Sequence, residues 1–118
     1  LLGVPALCSH GEQLRDLMYV EDVAAACIAL LKSNVQGAVN IASGHSVKLK
    51  DVIYMISDQL GAIDLVRLGA ISGSVNEPAE LSADIARLRD EIYFKPSYDL
   101  KQGIAATIES ALEDISKK

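Results

Sequence analysis

The chain has 118 residues, of which 50% are hydrophobic and 23% are charged, and its formal net charge is −5. This length suits one domain, and this composition is typical of a folded chain rather than a disordered one. No block of basic residues occurs, which argues against nucleic acid as the main partner because phosphate backbones require a clustered positive face. The longest uncharged apolar run, residues 23–31, is far shorter than the ~18 residues of a membrane span.

The first half of the chain predicts a strand, a helix, a second strand and a second helix. Residues 14–20 alternate loosely and include tyrosine and valine, which favours a strand. Apolar residues then recur at helical spacing over 23–31, and Asp22 lies in the first turn, where the helix dipole favours an acid. The sequence AVNIA at 38–42 predicts a short buried strand, and a second amphipathic helix covers residues 49–60.

The second half continues the alternation of strands and helices. Residues 63–68 are predicted to form a strand, and residues 69–78 form a loop rich in Gly, Ser and Asn. Ser82 is expected to cap a third helix, and residues 100–115 carry the apolar stripe of a fourth. The pattern predicts an α/β fold with short strands and about four helices, in one domain over residues 1–118.

Residues that could carry chemistry are sparse. His10 and His45 are isolated in predicted loops, and no set of residues has the spacing of a metal site. Cys8 and Cys27 have no partner spacing, so two reduced thiols in a cytoplasmic protein are favoured over a disulfide. No glycine-rich loop joins a strand to a helix, and no Ser/His/Asp set occurs. The sequence therefore predicts neither a metal site nor a catalytic residue.

Several segments nevertheless resemble one family. Residues 11–31, GEQLRDLMYVEDVAAACIALL, are similar to the signature G-x-Q-x-R-D … V-x-D-[VL]-A-x-A of extended short-chain dehydrogenases/reductases, the NAD-dependent nucleotide-sugar epimerases and dehydratases. Residues 37–44 (GAVNIASG), 81–88 (LSADIARL) and 94–96 (FKP) with the following helix resemble further motifs of that family, in the same order. The resemblance covers nearly all of residues 5–112.

The resemblance implies that this chain is the C-terminal, substrate-binding part of a longer enzyme. The family's glycine-rich loop and Tyr-x-x-x-Lys pair are absent here, because Tyr54 is followed four residues later by Asp58 and Tyr93 by Ser97. The parent protein would bind NAD or NADP through its missing N-terminal Rossmann domain. This chain alone is expected to bind no cofactor and to catalyse nothing.

The resemblance also implies where the substrate binds. Arg15 stands where the family's arginine contacts the diphosphate of a nucleotide sugar, and a guanidinium can meet phosphate oxygens in two bonds at once. Gln13 belongs to the same motif, and Asn76 and Glu77 are candidates for contacts to ribose or base. The alternative is that Arg15 and Asp16 form an ordinary surface ion pair at a strand end, which contributes little to stability.

Three positions depart from the family pattern. Ser74 replaces a second arginine that grips the nucleotide in many relatives, and Arg67 is the nearest upstream substitute. Tyr93 replaces a glycine that ends a helix in the left-handed conformation, so it must end the helix differently or incur about 1 kcal/mol of strain. Ala42 replaces a glycine in the loop after the AVNIA strand. These departures leave the nucleotide, the sugar and the reaction type open.

Two other functional classes remain as alternatives. One is a binding or regulatory module that holds a nucleotide sugar or nucleotide without turnover, and the other is a structural domain. A glycine-rich loop and a Tyr-x-x-x-Lys pair in an upstream sequence would favour the enzyme. A homodimer is also expected. The strand predicted at 14–20 and the alanine-rich helix at 23–31 have more apolar residues than one buried stripe needs, and exposed apolar patches tend to bind another protein surface.

Overall fold

The computed structural model describes residues 2–118, and these contain five short strands and four α-helices. The α/β fold with short strands and about four helices that the sequence predicts is confirmed. In chain order the elements are β1 (Ala6–Leu7), β2 (Leu14–Asp16), α1 (Val20–Leu31), β3 (Ser46–Lys48), α2 (Leu49–Gln59), β4 (Val66–Arg67), β5 (Glu80–Leu81), α3 (Ala86–Asp90) and α4 (Leu100–Ser116).

The strands form two small sheets, and β2 is the middle strand of the larger one. It pairs antiparallel with β3, so that Arg15 lies opposite Val47, and parallel with β5, so that Arg15 lies opposite Leu81. The second sheet consists of β1 and β4, which pair in parallel. Arg15 is therefore held from both sides by strands that come from distant parts of the chain.

Two predicted strands are shorter than expected, and one is absent. The strand predicted at 14–20 ends at Asp16. Helix α1 begins at Val20, so that Asp22 lies in its first turn as predicted. In the predicted strand at 63–68, residues 63–65 form a 3-10 turn and only Val66–Arg67 are extended in β4. The strand predicted at 38–42 does not form, since none of its backbone groups pairs with another backbone group within residues 2–118.

The third helix begins later than the sequence predicts. Glu80 and Leu81 pair with β2 as strand β5, and α3 starts only at Ala86 with Ile85 at its N-cap position. Ser82 therefore does not cap this helix. Pairing with β2 holds Glu80 and Leu81 extended just before this point, and residues 82–85 form no helical turn.

The fourth helix follows the prediction and begins with a capping box. The Asp99 carboxylate accepts from the backbone N–H of Gln102 at 2.8 Å, and the Gln102 side chain accepts from the backbone N–H of Asp99 at 2.9 Å. Two backbone donors that the helix would leave unpaired are satisfied in this way. Just before the helix, the buried Asp22 carboxylate of α1 accepts from the N–H groups of Ser97 and Tyr98 at 2.9 and 3.0 Å.

The apolar core of the described residues is small. Its buried members are Ala26, Val52, Leu88 and Ile104. The accessible surface is 8148 Å², about 1,900 Å² more than a compact chain of 12.6 kDa would expose. The radius of gyration is 16.7 Å, against about 13.5 Å for a compact domain of this length. Much apolar surface that a compact domain would bury is thus left open to solvent.

Within residues 2–118, no helix combines the length and the apolar character that crossing a bilayer requires.

Candidate functional site

Three of the four predicted site residues form a cluster, the Arg15 cluster, made of Gln13, Arg15 and Glu77. The Arg15 guanidinium donates to the Glu77 carboxylate at 3.0 Å and to the Pro78 carbonyl at 2.9 Å. The Gln13 amide nitrogen donates to the second Glu77 oxygen at 2.9 Å. One carboxylate thus joins two side chains of the motif around β2, although 62 residues separate Arg15 from Glu77.

Strand pairing brings these residues together. β5 runs parallel to β2, and the bond from the Leu14 N–H to the Ala79 carbonyl, at 2.8 Å, continues that pairing toward the loop. The end of the long loop at residues 69–78 is thereby placed beside Arg15. Because side chains alternate along a strand, Gln13 and Arg15 share one face of β2, and both reach Glu77.

Arg15 is not the ordinary surface pair that the sequence offered as an alternative. Its ionic partner is Glu77 rather than Asp16, and its side chain is only 16% exposed. A guanidinium has five N–H donors, and three of them go to Leu14, Glu77 and Pro78. The other two donors make no hydrogen bond within the described chain.

Asp16, on the opposite face of β2, binds the loop at Ser43 and Gly44. Its carboxylate accepts from the N–H and the hydroxyl of Ser43 at 2.9 and 2.7 Å, and from the N–H of Gly44 at 2.8 Å. Gly44 has a φ of +82°, and a Cβ there would lie 2.6 Å from Ile85, so this position requires glycine. The Arg-Asp step thus holds two loops, one on each face of β2.

Gln13 carries unused hydrogen-bonding capacity. The residue is 5% exposed, and its amide oxygen has no hydrogen-bond partner among the described residues. Buried polar atoms normally find a partner in the protein, in ordered water or in a ligand. The Arg15 cluster is therefore incompletely satisfied at two of its three members, Arg15 and Gln13.

Asn76, the fourth predicted site residue, is not part of the cluster. It lies in an exposed turn just before Glu77, and its side chain makes no hydrogen bond within residues 2–118. Arg67, the proposed substitute for a second arginine, is exposed on β4 and donates only to the nearby carbonyls of Asp64 and Val66. Arg15 remains the only arginine of the described chain that joins this cluster.

Sequence reasoning missed an apolar cavity of about 950 Å³ on another part of the molecule. Its walls come from the segment between β2 and α1, the turn after α3 and the first half of α4, and they include Tyr19, Tyr93, Phe94 and Ile104. Tyr93 has a φ of +59° and is 83% exposed. It therefore adopts the left-handed conformation of the glycine that it replaces and carries the associated strain.

Several charged groups on the surface shift the pKa values of their neighbours. Hydrogen bonds from Lys50 and Lys48 lower the pKa of the Glu12 carboxyl, and the Arg87 guanidinium lowers that of Glu91. The negative charge of Glu21 raises the pKa of the Tyr98 hydroxyl. The first two are ion pairs, and Tyr98 donates a hydrogen bond to Glu21. Within residues 2–118, no three His, Cys, Asp or Glu side chains are grouped so that they could hold a metal ion.

Comparison with known proteins agrees with this architecture. Residues 3–42, which include β2 and the whole of the segment 11–31 that contains Arg15, match the model of the NAD dependent epimerase/dehydratase family. CDP-abequose synthase of Salmonella typhimurium is 29% identical over 103 residues, which are 82% of this chain and 34% of that protein. UDP-glucuronic acid decarboxylase 1 of Xenopus tropicalis is 26% identical over 83% of this chain and 23% of its own length.

Solved structures of similar fold include NAD-dependent enzymes as well. MoeE5 in complex with UDP-glucuronic acid and NAD superposes with a TM-score of 0.81 at 26% identity, over 97% of this chain and 38% of that one. TunA, an NAD-dependent NDP-hexosamine 5,6-dehydratase, superposes with a TM-score of 0.75 at 30% identity, over 89% of this chain and 33% of its own.

This chain spans about a third of the length of the CDP-abequose synthases that it matches. The motifs around β2, the small α/β architecture and these likenesses lead to the same family. Over most of its length, the chain is similar to NAD-dependent epimerases and dehydratases of the extended short-chain dehydrogenase/reductase family.

Proposed function

We propose that this chain is the substrate-binding part of an NAD-dependent epimerase or dehydratase that acts on a nucleotide sugar. The observation that carries the proposal is the state of Arg15. Three of its donors fix the guanidinium to the loop and strand, and two remain for a ligand. A guanidinium fixed in this way loses little rotational freedom when it binds, which favours affinity.

The diphosphate of a nucleotide sugar suits this arrangement. Phosphate oxygens accept charge-assisted bonds from a planar guanidinium, commonly two at once. MoeE5, which shares the fold at 26% and 25% identity, has been solved with UDP-glucuronic acid and with UDP-glucose. Its ligands support a nucleotide sugar as the substrate class of this chain, while the base and the sugar remain to be determined.

Glu77 and Gln13 would contact the neighbouring part of the ligand. The Glu77 carboxylate has about four acceptor positions, of which two are used by Arg15 and Gln13. Because its side chain is 30% exposed, a ribose hydroxyl can donate to a remaining position. Asn76, in the adjacent exposed turn, would be a second contact to ribose or base.

The reaction itself would depend on the rest of the parent protein. This sequence contains neither the Tyr-x-x-x-Lys pair nor the dinucleotide loop, so NAD or NADP would bind to the Rossmann domain of the parent and hydride transfer would occur there. This chain would bind and orient the nucleotide, in the cleft between the two parts. The two cysteines are free thiols, which fits a cytoplasmic location where thiols are kept reduced.

The test is arginine replacement in the full-length parent protein, with nucleotide-sugar affinity measured by calorimetry. Arg15→Ala should weaken binding by about 1.5–3 kcal/mol, the usual effect of losing a hydrogen bond to a charged group. Arg15→Lys should recover only part of this loss, because lysine keeps the charge but lacks the planar fork. Arg67→Ala is the matched control, since Arg67 bonds only local carbonyls.

Thermal unfolding of each variant must accompany the affinity measurement, because Arg15 also anchors Glu77 and Pro78. A folded Arg15→Ala protein with wild-type affinity would return Arg15 to a purely structural role. Binding without turnover in the wild-type parent would instead favour the regulatory-module alternative.

A further inference from the structure

Residues Gly11, Glu12 and Gln13 immediately precede strand β2 and are called the 11–13 loop below. This loop lies against the first turn of helix α2. The N–H of Lys50 donates to the Gly11 carbonyl at 2.8 Å, and the N–H of Leu49 donates to the Gln13 carbonyl at 3.0 Å. The first N–H groups of a helix have no partner within the helix, so the loop carbonyls satisfy two of them. Both partners of each bond lie within the described chain.

Only glycine fits this contact at position 11. Gly11 is buried and has a φ of +72°, in the left-handed region that residues with a side chain disfavour. A Cβ there would lie 2.7 Å from the Lys50 Cβ and 2.9 Å from the Lys50 backbone nitrogen, whereas nonbonded carbon atoms pack best at about 3.5–4.0 Å. Because these atoms belong to the helix backbone or adjoin it, they cannot turn aside. Any other residue at position 11 must therefore push the loop away from α2.

Two further contacts hold the middle of the loop. The Glu12 N–H donates to His10 Nδ1 at 2.9 Å. The Glu12 carboxylate lies 2.6 Å from the Lys50 ammonium and 3.3 Å from that of Lys48. The Glu12 side chain is 50% exposed, and ion pairs of exposed groups contribute little. The packing of Gly11 and the two backbone bonds to α2 are therefore the main constraint on the loop.

The position of the loop decides where the Gln13 side chain lies. Gln13 is buried, and its amide nitrogen donates to Glu77 at 2.9 Å. Glu77 in turn accepts from the Arg15 guanidinium at 3.0 Å. A loop shift of about 1 Å would take the Gln13–Glu77 bond outside the usual N···O range of about 2.7–3.2 Å. It would release one of the two side chains that hold Glu77 beside Arg15.

We infer that Gly11 is a positioning residue for nucleotide-sugar binding. By letting the loop pack on α2, it places Gln13, which holds Glu77 and through it the Arg15 guanidinium. The inference rests on the proposed function, because it assumes that the Arg15 cluster receives the diphosphate. Gly11 is buried, so it acts through Gln13 and not by contact with the ligand. A looser cluster has more conformational freedom to lose when the ligand binds, which weakens affinity.

Calorimetry of the full-length parent protein tests the inference. UDP-, CDP-, dTDP- and GDP-glucose are titrated into the wild type, and the one that binds most tightly is the probe for the variants. Gly11→Ala should raise the dissociation constant of the probe about tenfold, the effect of losing one hydrogen bond to a charged group. The binding stoichiometry and the dissociation constant of NAD should stay as in the wild type. A general loss of structure would instead lower the stoichiometry and weaken the binding of both ligands.

Gly61 offers the matched control at the other end of the same helix. It follows α2 with a φ of +64°, and no atom of the described residues lies within 4 Å of a Cβ built there. Gly61→Ala introduces the same left-handed alanine without the clash, about 16 Å away along a helix of 11 residues. It should leave the dissociation constant of the probe within about twofold of the wild type, as a surface substitution away from the site does.

Leu49→Pro displaces the loop from the helix side and decides the matter if Gly11→Ala does not fold. Leu49 is the first residue of α2, where proline is common, and Lys48 before it has the extended ψ of 135° that suits a following proline. The proline ring replaces the N–H that bonds to the Gln13 carbonyl, so that carbonyl must move. Leu49→Pro should therefore also raise the dissociation constant of the probe about tenfold at unchanged stoichiometry.

The inference is overturned if a folded Gly11→Ala protein binds the probe as tightly as Gly61→Ala does, or if Leu49→Pro binds it like the wild type. Arg15→Ala separates this failure from failure of the proposed function. If Arg15→Ala weakens binding and the loop variants do not, only the positioning role of Gly11 is wrong. If Arg15→Ala also keeps wild-type affinity, the Arg15 cluster is not the nucleotide-sugar site and both conclusions fall. A wild type that binds none of the four nucleotide sugars has the same consequence.

Discussion

Replacing Asp22 tests how the two ends of this chain are joined. Asp22 is 2% exposed, and its two carboxylate oxygens accept from the backbone N–H groups of Ser97 and Tyr98. Asp22→Ala removes both acceptors and leaves two donors beside α1 without a partner. Each hydrogen bond to a charged group contributes about 1.5–3 kcal/mol. Ser97 and Tyr98 are themselves exposed, so water compensates part of the loss, and the free energy of unfolding should fall by about 2–4 kcal/mol.

Urea unfolding followed by circular dichroism provides the measurement. Asp22→Asn keeps one carbonyl oxygen as an acceptor and should lose about half as much, roughly 1–2 kcal/mol. Glu21→Ala is the control, because the Glu21 carboxylate accepts only from the Tyr98 hydroxyl at 3.3 Å. This substitution should lower the free energy of unfolding by at most about 0.5 kcal/mol. If Asp22→Ala is as stable as the wild type, or if Glu21→Ala is equally harmful, the joining role assigned to Asp22 is wrong.

Two further predictions concern strain and cofactor binding. Tyr93→Gly should raise the free energy of unfolding by about 0.5–1 kcal/mol, because glycine adopts a positive φ without strain. Tyr93→Ala is the control and should give no such increase. Urea unfolding of both variants measures the difference. The isolated chain should show no binding of NAD in calorimetry, since it has no dinucleotide fingerprint, and micromolar affinity would contradict its assignment as the substrate part of the parent.

Local sequence patterns predicted the boundaries of some helices correctly and those of others incorrectly. α2 and α4 begin at the predicted residue and end within one residue of the predicted end, because apolar periodicity and end signals depend on residues a few positions apart. α3 begins later than predicted, because residues 82–85 form no helical turn between β5 and Ala86. β5 itself pairs with β2, a strand some 65 residues away in sequence, and no local pattern records that pairing.

For the functional residues too, the sequence indicated some features and only the folded structure showed others. The motif around Arg15 indicated a nucleotide-sugar family, and the comparisons confirm the family. The motif did not indicate that Glu77 would be the ionic partner of Arg15 or that Asp16 would hold the Ser43–Gly44 loop. Alternation along β2 sends these two charged neighbours to opposite faces, but only the folded chain determines what each one meets.

By itself, the sequence determined the α/β class, the positions of the long helices and the family, because all of these are encoded in short-range spacing and local motifs. Only the tertiary structure decided which predicted strands exist, since a strand requires a partner for its backbone groups. β2 found such partners in β3 and β5. Residues 38–42 have an equally suitable composition, but the described part of this chain offers them no neighbouring strand.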